Sequence, residues 1–189
     1  MKTKIVIADD EPITRLDIRE ILEDTGYDVV GEASDGFDAV EMCRKHKPDL
    51  VLMDIKMPLL DGLKAAKIIK SEKLSGGILL LTAYSGKEFV SQAKDIGVAG
   101  YLVKPISEDS LLPMIEIAIS QSNEISRIEA DAEKTKTQLE DRKIIERAKG
   151  IMMERDKISE EEAYHMIQKL SMDKRCSMKD IAKVIILNG

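Results

Sequence analysis

The chain has 189 residues, 43% of them hydrophobic, so it is long enough for one ordinary domain plus a smaller module and too apolar for general disorder. Its apolar runs are too short to span a bilayer, and the N-terminus enters a strand pattern without a signal peptide, so we expect a cytoplasmic protein with no membrane contact. Residues 1–120 carry 15 basic and 21 acidic side chains, whereas residues 142–189 carry 11 and 8, which indicates different partners for the two ends.

Short β-rich runs alternate with amphipathic stretches over the first 120 residues. Pro12 suits the first turn of a helix, Gly26 closes that helix, and Pro48 and Pro58 bound the third apolar run. The predicted strands are 4–8, 28–33, 50–54, 78–82 and 100–103. The predicted helices cover about 12–24, a stretch from 36, 62–70, 87–96 and a last stretch that opens at 107–108.

Five strands that alternate with five helices predict an α/β fold, a parallel sheet covered by helices on both faces. Right-handed crossovers leave few topologies, and the flavodoxin-like strand order 2-1-3-4-5 is the leading one. In that order strands one and three are neighbours, so Asp9, Asp10 and Asp54 meet at the carboxyl edge of the sheet.

Three carboxylates in one crevice repel one another unless a cation relieves them, and Mg²⁺ is the hard cation that such oxygen ligands suit. The fourth and fifth strands end in Thr82 and Lys104, which add a hydroxyl and an ammonium at the same edge. Together these groups predict a site where a carboxylate accepts a phosphoryl group. Each residue alone also fits an ordinary role as a helix cap, a strand end or a solvated charge, so the prediction depends on their combination.

With Asp9-Asp10, Asp54 before Met57-Pro58, Thr82-Ala83, Tyr101 and Lys104-Pro105, residues 1–118 resemble the receiver domain of two-component response regulators. The resemblance implies that Asp54 is the phosphoacceptor for a sensor histidine kinase. It also implies a Mg²⁺ site at Asp9, Asp10, Asp54 and the Lys56 carbonyl, Lys104 as the phosphate-binding lysine, Thr82 and Tyr101 as a switch pair, and a cis bond before Pro105. No enzyme activity beyond slow self-dephosphorylation is implied.

Residues 119–140 form a predicted linker helix that continues the last helix of the receiver domain. Apolar and small side chains follow a 3-4 spacing through Ile125, Ile128, Ala132, Thr135 and Leu139, with charged residues around them. This pattern predicts a weak coiled coil that suits a homodimer controlled by phosphorylation. A single solvated helix between two domains is the alternative, although long isolated helices need packing to persist.

Residues 139–189 predict a small bundle of three helices. The first covers Leu139–Glu154, the second begins after Ser159 and runs through Leu170, and the third begins at Ser177. Ser159 with Glu162 three residues later has the spacing of a capping box.

Three segments of the tail together resemble the ANTAR domain of antiterminator proteins. They are the run Glu146-Arg147-Ala148-Lys149-Gly150-Ile151-Met152-Met153, the stretch that begins at Ser159, and Asp180-Ile181-Ala182. With the receiver, the chain is similar to the ethanolamine-utilisation antiterminators. The resemblance implies that the phosphorylated homodimer binds a two-stem-loop leader RNA and thereby prevents transcription termination.

The tail offers basic side chains for RNA phosphates but little for base stacking. Tyr164 is its only aromatic residue other than histidine and equally fits a core position. The candidate RNA-binding residues are Arg142, Lys149, Gly150, Lys174, Arg175 and Lys179. The leading alternative is a phosphorylation-dependent DNA-binding transcription factor, although the connections of the tail lack the glycine often seen in a helix-turn-helix.

Overall fold

A computed structural model describes residues 2–83 and 87–188, so Met1 and Gly189, the outer limits of the predicted domains, lie outside it. It contains five strands and seven helices within these ranges. They are β1 Lys4–Ala8, α1 Pro12–Asp24, β2 Asp28–Ala33, α2 Gly36–His46, β3 Leu50–Asp54, α3 Gly62–Ser71, β4 Gly77–Thr82, α4 Lys87–Ile96, β5 Gly100–Val103, α5 Glu108–Asp156, α6 Glu160–Lys174 and α7 Met178–Asn188.

The five strands form one parallel sheet in the order β2-β1-β3-β4-β5, which confirms the flavodoxin-like prediction. β3 lies at the centre and is buried along its whole length, as expected for an apolar strand covered on both faces. Ala8 of β1 pairs in register with Met53 of β3, and Asp54 pairs with Leu81 of β4. The sheet therefore brings the residues that follow these strands to one edge.

Alternate side chains of the central strands enter two separate apolar layers, as the two-residue period of a strand requires. One layer packs Val51 and Met53 of β3 against residues of α2 and α3 that include Cys43 and Ile69. The other packs Leu50 and Leu52 against residues of α1 and α5 that include Ile18, Leu22, Leu111 and Ile115. Helices thus cover both faces of the sheet, and the polar residues of the predicted site lie at the carboxyl edge of the strands.

The chain divides into two compact units, Met1–Arg127 and Ile128–Gly189, and the division falls inside α5. In the first unit α5 packs on the sheet as far as Ser122, which is buried beside Gly76. This contact lies beyond residue 118, the predicted end of the receiver domain. The predicted linker thus begins inside the packed unit.

The predicted continuation of the receiver helix is confirmed, because α5 is one helix of 49 residues with Pro113 near its start. Every residue from 123 to 140 is exposed, including Ile125, Ile128 and Leu139. These three are the largest apolar side chains of the predicted seam. Among the described residues, no helix is both long enough and apolar enough to cross a membrane.

The second unit is the three-helix bundle that the sequence predicts, with its first helix supplied by the end of α5. Its core contains Ala148 and Met152 of α5, Ala163 and Ile167 of α6, and Ala182 of α7. The predicted capping box is present: the Ser159 hydroxyl accepts a hydrogen bond from the backbone of Glu162, whose carboxylate accepts one from the backbone of Ser159. α6 ends at Lys174, four residues later than predicted.

Candidate functional site

Three carboxylates meet at the carboxyl edge of the sheet, as predicted. Asp9 follows β1 and is fully buried, Asp54 ends β3 and is buried, and Asp10 is exposed at the mouth of the site. Oxygen atoms from all three lie within 4.8 Å of one another. Such a cluster of negative charge is unfavourable in a buried site unless positive charge compensates it.

Lys104, which follows β5, supplies part of this compensation. Its Nζ atom lies 2.7 Å from Oδ2 of Asp9 and 3.4 Å from Oδ1 of Asp54. The bond between Lys104 and Pro105 is cis, as the resemblance implies. Thr82, at the end of β4, is buried. A pocket of about 260 Å³ at this edge is lined by Asp10, Glu11, Asp54, Ile55, Lys56, Thr82, Ala83 and Lys104.

The site shifts the pKa of two of its members. Burial raises the pKa of Asp54 to about 6, and the Asp9 carboxylate adds to this, whereas the ammonium of Lys104 opposes it. Burial by itself would lower the pKa of Lys104, but the contacts with Asp9 and Asp54 outweigh it and raise that pKa. Lys104 is therefore charged at neutral pH and holds the two carboxylates together.

The residues fit a divalent cation. Three carboxylates and one ammonium leave a charge of −2 when all are ionised. Oδ2 of Asp9 is buried and, apart from the Lys104 ammonium, has no aligned hydrogen-bond donor among the described residues. Hard oxygen ligands with an open, solvent-facing side are what Mg²⁺ prefers. Lys56, whose backbone carbonyl is the further ligand that the resemblance implies, lines the same pocket.

The loop after β3 packs tightly against the backbone of Asp54. A Cβ atom on Gly62 would lie 1.8 Å from the Asp54 carbonyl oxygen, so only glycine fits there. The Gly62 amide donates a 2.9 Å hydrogen bond to the carbonyl of Ile55. This role was not predicted from the sequence, although the Asp61-Gly62 pair that follows Pro58 was an available signal of a tight turn.

The predicted switch pair lies on adjacent strands. Thr82 pairs in register with Val103, and Tyr101 pairs with Leu80. Thr82 is buried at the site, whereas Tyr101 is 41% exposed on the surface of β5. The buried hydroxyl and the exposed ring thus lie on adjacent strands, two register positions apart, and their coupling stays a prediction.

Arg15 of α1 is a further residue at the site, and the sequence did not predict its role. Its Nη1 atom donates a 2.6 Å hydrogen bond to the carbonyl of Asp9, and its Nε atom donates to Glu32 of β2. The backbone amide of Glu11 donates to Oδ1 of Asp9 at 3.0 Å. In the sequence Arg15 is one polar position of an amphipathic helix, so its partner 17 residues away was not visible.

Two of the predicted RNA-binding lysines are held by acidic partners within the second unit. Lys149 is buried, and its ammonium lies 2.8 Å from Glu146 and 2.7 Å from Glu160, so it joins α5 to α6. Lys179 of α7 pairs with Asp141 of α5 at 2.6 Å. The structure thus gives both lysines a role in holding the bundle together, which their positions in the sequence did not predict.

The other predicted RNA-binding residues are open to solvent. Arg142, Gly150, Lys174 and Arg175 are exposed, and a Cβ added at Gly150 would meet nothing within 4 Å. Lys174 is the last residue of α6, and Arg175 caps that helix in the left-handed conformation with φ 52°. These two cations therefore project at the corner between α6 and α7.

Tyr164 does not occupy the core. Its side chain is 42% exposed, and the ammonium of Lys149 lies 5.9 Å from the ring centroid. The core position beside it belongs to Ala163. The alternative that Tyr164 fills the core of the bundle is therefore wrong.

Comparison with known families matches two separate parts of the chain. Residues 5–116 match the family described as the response regulator receiver domain. Residues 133–186 match the ANTAR domain. The first match contains every predicted phosphorylation-site residue, and the second contains every predicted RNA-binding residue.

Individual relatives agree. The transcriptional regulatory protein PdtaR of Mycobacterium tuberculosis is 44% identical over 183 residues, which is 97% of this chain and 89% of that protein. The chemotaxis protein CheY of Bacillus subtilis is 39% identical over 61% of this chain and 96% of its own length. Among solved structures, the receiver domain of a modulated diguanylate cyclase from Desulfovibrio desulfuricans is 31% identical, with a TM-score of 0.60 over 65% of this chain and 98% of its own.

Proposed function

Because the chain belongs to the two-component response regulators, with a receiver domain followed by an ANTAR domain, we propose that it is a phosphorylation-controlled RNA-binding antitermination regulator. The observation that carries the proposal is the constellation at the sheet edge, where Lys104 bridges Asp9 and Asp54 beside an open pocket. This arrangement suits the acceptance of a phosphoryl group at Asp54.

In the proposed reaction a carboxylate oxygen of Asp54 forms a bond to phosphorus. The bond between that phosphorus and the histidine nitrogen of a sensor kinase breaks, and the nitrogen then takes up a proton. The Lys104 ammonium binds an oxygen of the transferred group, and the Thr82 hydroxyl donates a hydrogen bond to another. Asp9, Asp10, Asp54 and the Lys56 carbonyl would hold Mg²⁺, which neutralises charge on the phosphoryl group.

The chain acts in this proposal as a phosphoacceptor and not as an enzyme. Hydrolysis of its own aspartyl phosphate is the only reaction expected of it. A leader RNA would meet the chain in the cytoplasm, so we place the protein there, without membrane contact.

Phosphorylation is proposed to promote a homodimer through α5. Ile125, Ile128 and Leu139 are at least half exposed, and they lie in a stretch of α5, residues 123–140, in which every residue is exposed. A second copy of the helix would bury this seam in a coiled coil. Because the seam also contains small and polar residues, its packing is weak enough to depend on the state of the receiver.

RNA is proposed to bind at the corner between α6 and α7. Lys174 and Arg175 are exposed there, and Lys169 and Lys183 add exposed positive charge on the two helices. Phosphates require such cations, while loop bases are read at their exposed edges. A dimer would present two such corners, so two adjacent stem-loops of one leader RNA would bind with a raised effective concentration and keep a terminator from forming.

The test is a titration of the full chain against a two-stem-loop leader RNA and a duplex DNA at one fixed salt concentration. Each titration is made with and without beryllofluoride and Mg²⁺, and the Asp54→Ala variant is the control for activation. Tighter RNA binding by the activated chain alone supports the proposal. Preference for duplex DNA would favour a DNA-binding transcription factor. RNA binding that is equal with and without activation would show that phosphorylation of Asp54 does not control it.

A further inference from the structure

A guanidinium outside the acidic cluster holds the backbone of one of its members. Nη1 of Arg15 donates a short, charge-assisted hydrogen bond of 2.6 Å to the carbonyl oxygen of Asp9, just below the usual range for such bonds. The Arg15 side chain is only 17% exposed, so it is fixed by its surroundings and is not a mobile surface group. The bond acts on the backbone that leads from β1 into the Asp9-Asp10 pair.

Glu32 orients this guanidinium. The Nε atom of Arg15 donates to Oε2 of Glu32 at 3.3 Å, and Glu32 lies on β2, the strand beside β1. The amide of Asp9 in turn donates to the carbonyl of Ala33 at 3.1 Å. The end of β1 is therefore tied to β2 twice, once directly and once through Arg15.

We propose that Arg15 is a positioning residue for the cation site, which fixes the backbone of Asp9 so that the Asp9 and Asp10 carboxylates can share one divalent cation with Asp54. The inference rests on the proposed function, because it concerns the same site. Groups that orient metal ligands commonly matter for affinity by about 10- to 100-fold when they are removed. Arg15 reaches the ligand through the backbone and touches neither the cation nor the phosphoryl group.

Electrostatics alone predicts the opposite effect. Arg15 places a positive charge close to the three carboxylates and therefore repels an incoming cation. If charge were its only influence, removing it would strengthen Mg²⁺ binding. If it positions Asp9, removing it weakens Mg²⁺ binding, so the sign of the change separates the two roles.

Arg19 provides a matched control. It lies one turn further along α1 and pairs with the same Glu32, and also with Glu23, so it carries the same charge in nearly the same place. Its ion pairs involve neither the backbone nor the side chain of Asp9. Removal of Arg19 therefore reports the effect of lost charge near Glu32 without loss of the contact to Asp9.

The experiment measures the Mg²⁺ dissociation constant of the full, metal-stripped chain by isothermal titration calorimetry, for the wild type and for Arg15→Met, Arg15→Lys and Arg19→Met. We expect Arg15→Met to weaken Mg²⁺ binding by about 10-fold. Arg15→Lys should be intermediate, because one ammonium cannot match the two-sided geometry of a guanidinium. Arg19→Met should bind as tightly as the wild type or slightly more tightly.

Thermal unfolding without Mg²⁺ shows whether each variant folds, and Arg15→Lys provides a second route if Arg15→Met does not. Arg15→Lys keeps the positive charge but loses the two-sided geometry of the guanidinium, so charge alone predicts unchanged Mg²⁺ binding and the positioning role predicts weaker binding. Binding by Arg15→Met that equals or exceeds the wild type would overturn the inference and leave the proposed function intact. A wild-type chain that binds no Mg²⁺ would overturn both.

Discussion

The ammonium of Lys104 lies closer to Asp9, at 2.7 Å, than to the proposed phosphoacceptor Asp54, at 3.4 Å. The lysine is thus held mainly by a carboxylate that the proposed reaction leaves unchanged. It can keep that contact while an incoming phosphoryl oxygen replaces its weaker contact with Asp54. In the proposed reaction, the ion pair with Asp9 would therefore hold the Lys104 ammonium in place before the phosphoryl group arrives.

Replacement of Lys104 should slow phosphoryl transfer while sparing the cation site. We expect Lys104→Met to reduce the rate of phosphorylation by acetyl phosphate by about 10-fold, the scale of one lost hydrogen bond to a charged group. Mg²⁺ binding should be unchanged or tighter, because positive charge has been removed. Phosphate-affinity gel electrophoresis measures the first and calorimetry the second. Lys64→Met, which removes an exposed lysine paired with Asp61, is the control and should behave as the wild type.

Asp54 should make the stability of the metal-free chain depend on pH. Its pKa is raised from 3.8 to about 6 in the folded chain, so between these values the folded state binds more protons than the unfolded state. The free energy of unfolding contributed by this group therefore falls as the pH rises through the window and is at its lowest above about pH 6.

The measurement is chemical denaturation of the wild type and Asp54→Asn in EDTA at several pH values. At pH 7.5 we expect the variant to be more stable by about 2 kcal/mol, since two pKa units correspond to about 3 kcal/mol before screening. This difference in the free energy of unfolding between the variant and the wild type should disappear below about pH 4. It should also become smaller when Mg²⁺ is added, because the cation stabilises the ionised carboxylate. A gap that does not change with pH would contradict the assignment.

The exposed and the paired basic residues of the second unit should respond differently to mutation. Lys174→Ala and Arg175→Gln should each weaken RNA binding and reduce the salt dependence of the binding constant by about one counterion per lost phosphate contact. Lys149→Met should leave that salt dependence unchanged and slightly lower the thermal midpoint, because it removes the ion pairs that join α5 to α6. Filter-binding titrations at several salt concentrations and calorimetry give the two readouts. A smaller salt dependence for Lys149→Met would indicate that Lys149 contacts an RNA phosphate after all.

A charge placed in the exposed seam of α5 should prevent the activated dimer. Ile128→Asp would put a carboxylate where a second copy of the helix packs, and we expect the beryllofluoride-activated chain to remain monomeric by light scattering. Asn123→Asp adds the same charge outside the seam and should still dimerise. An Ile128→Asp chain that dimerises normally would exclude this seam as the interface.

Particular residues show what the sequence could reveal. Asp9 and Asp54 were predicted to meet because the alternation of strands and helices is visible in short segments of sequence. The general right-handedness of crossovers then leaves few strand orders. The partnership of Lys149 with Glu160 was not predicted, because it depends on how α6 folds back along α5. The contact of Arg15 with Asp9 likewise requires the rotation of α1 on the sheet, which periodicity gives only coarsely. The helices and strands could be predicted from local sequence patterns. The partners of long polar side chains could not, because they depend on how the helices pack in three dimensions.

Gly62 has a consequence for how this chain tolerates genetic variation. A methyl group there would overlap the carbonyl oxygen of Asp54, so we expect Gly62 to be as constrained as the proposed phosphoacceptor whose backbone it contacts. In a saturation library selected for phosphorylation, codon 62 should retain glycine as strictly as codon 54 retains aspartate. Gly150, where an added Cβ meets no neighbour within 4 Å, should accept small residues in the same library without loss of phosphorylation.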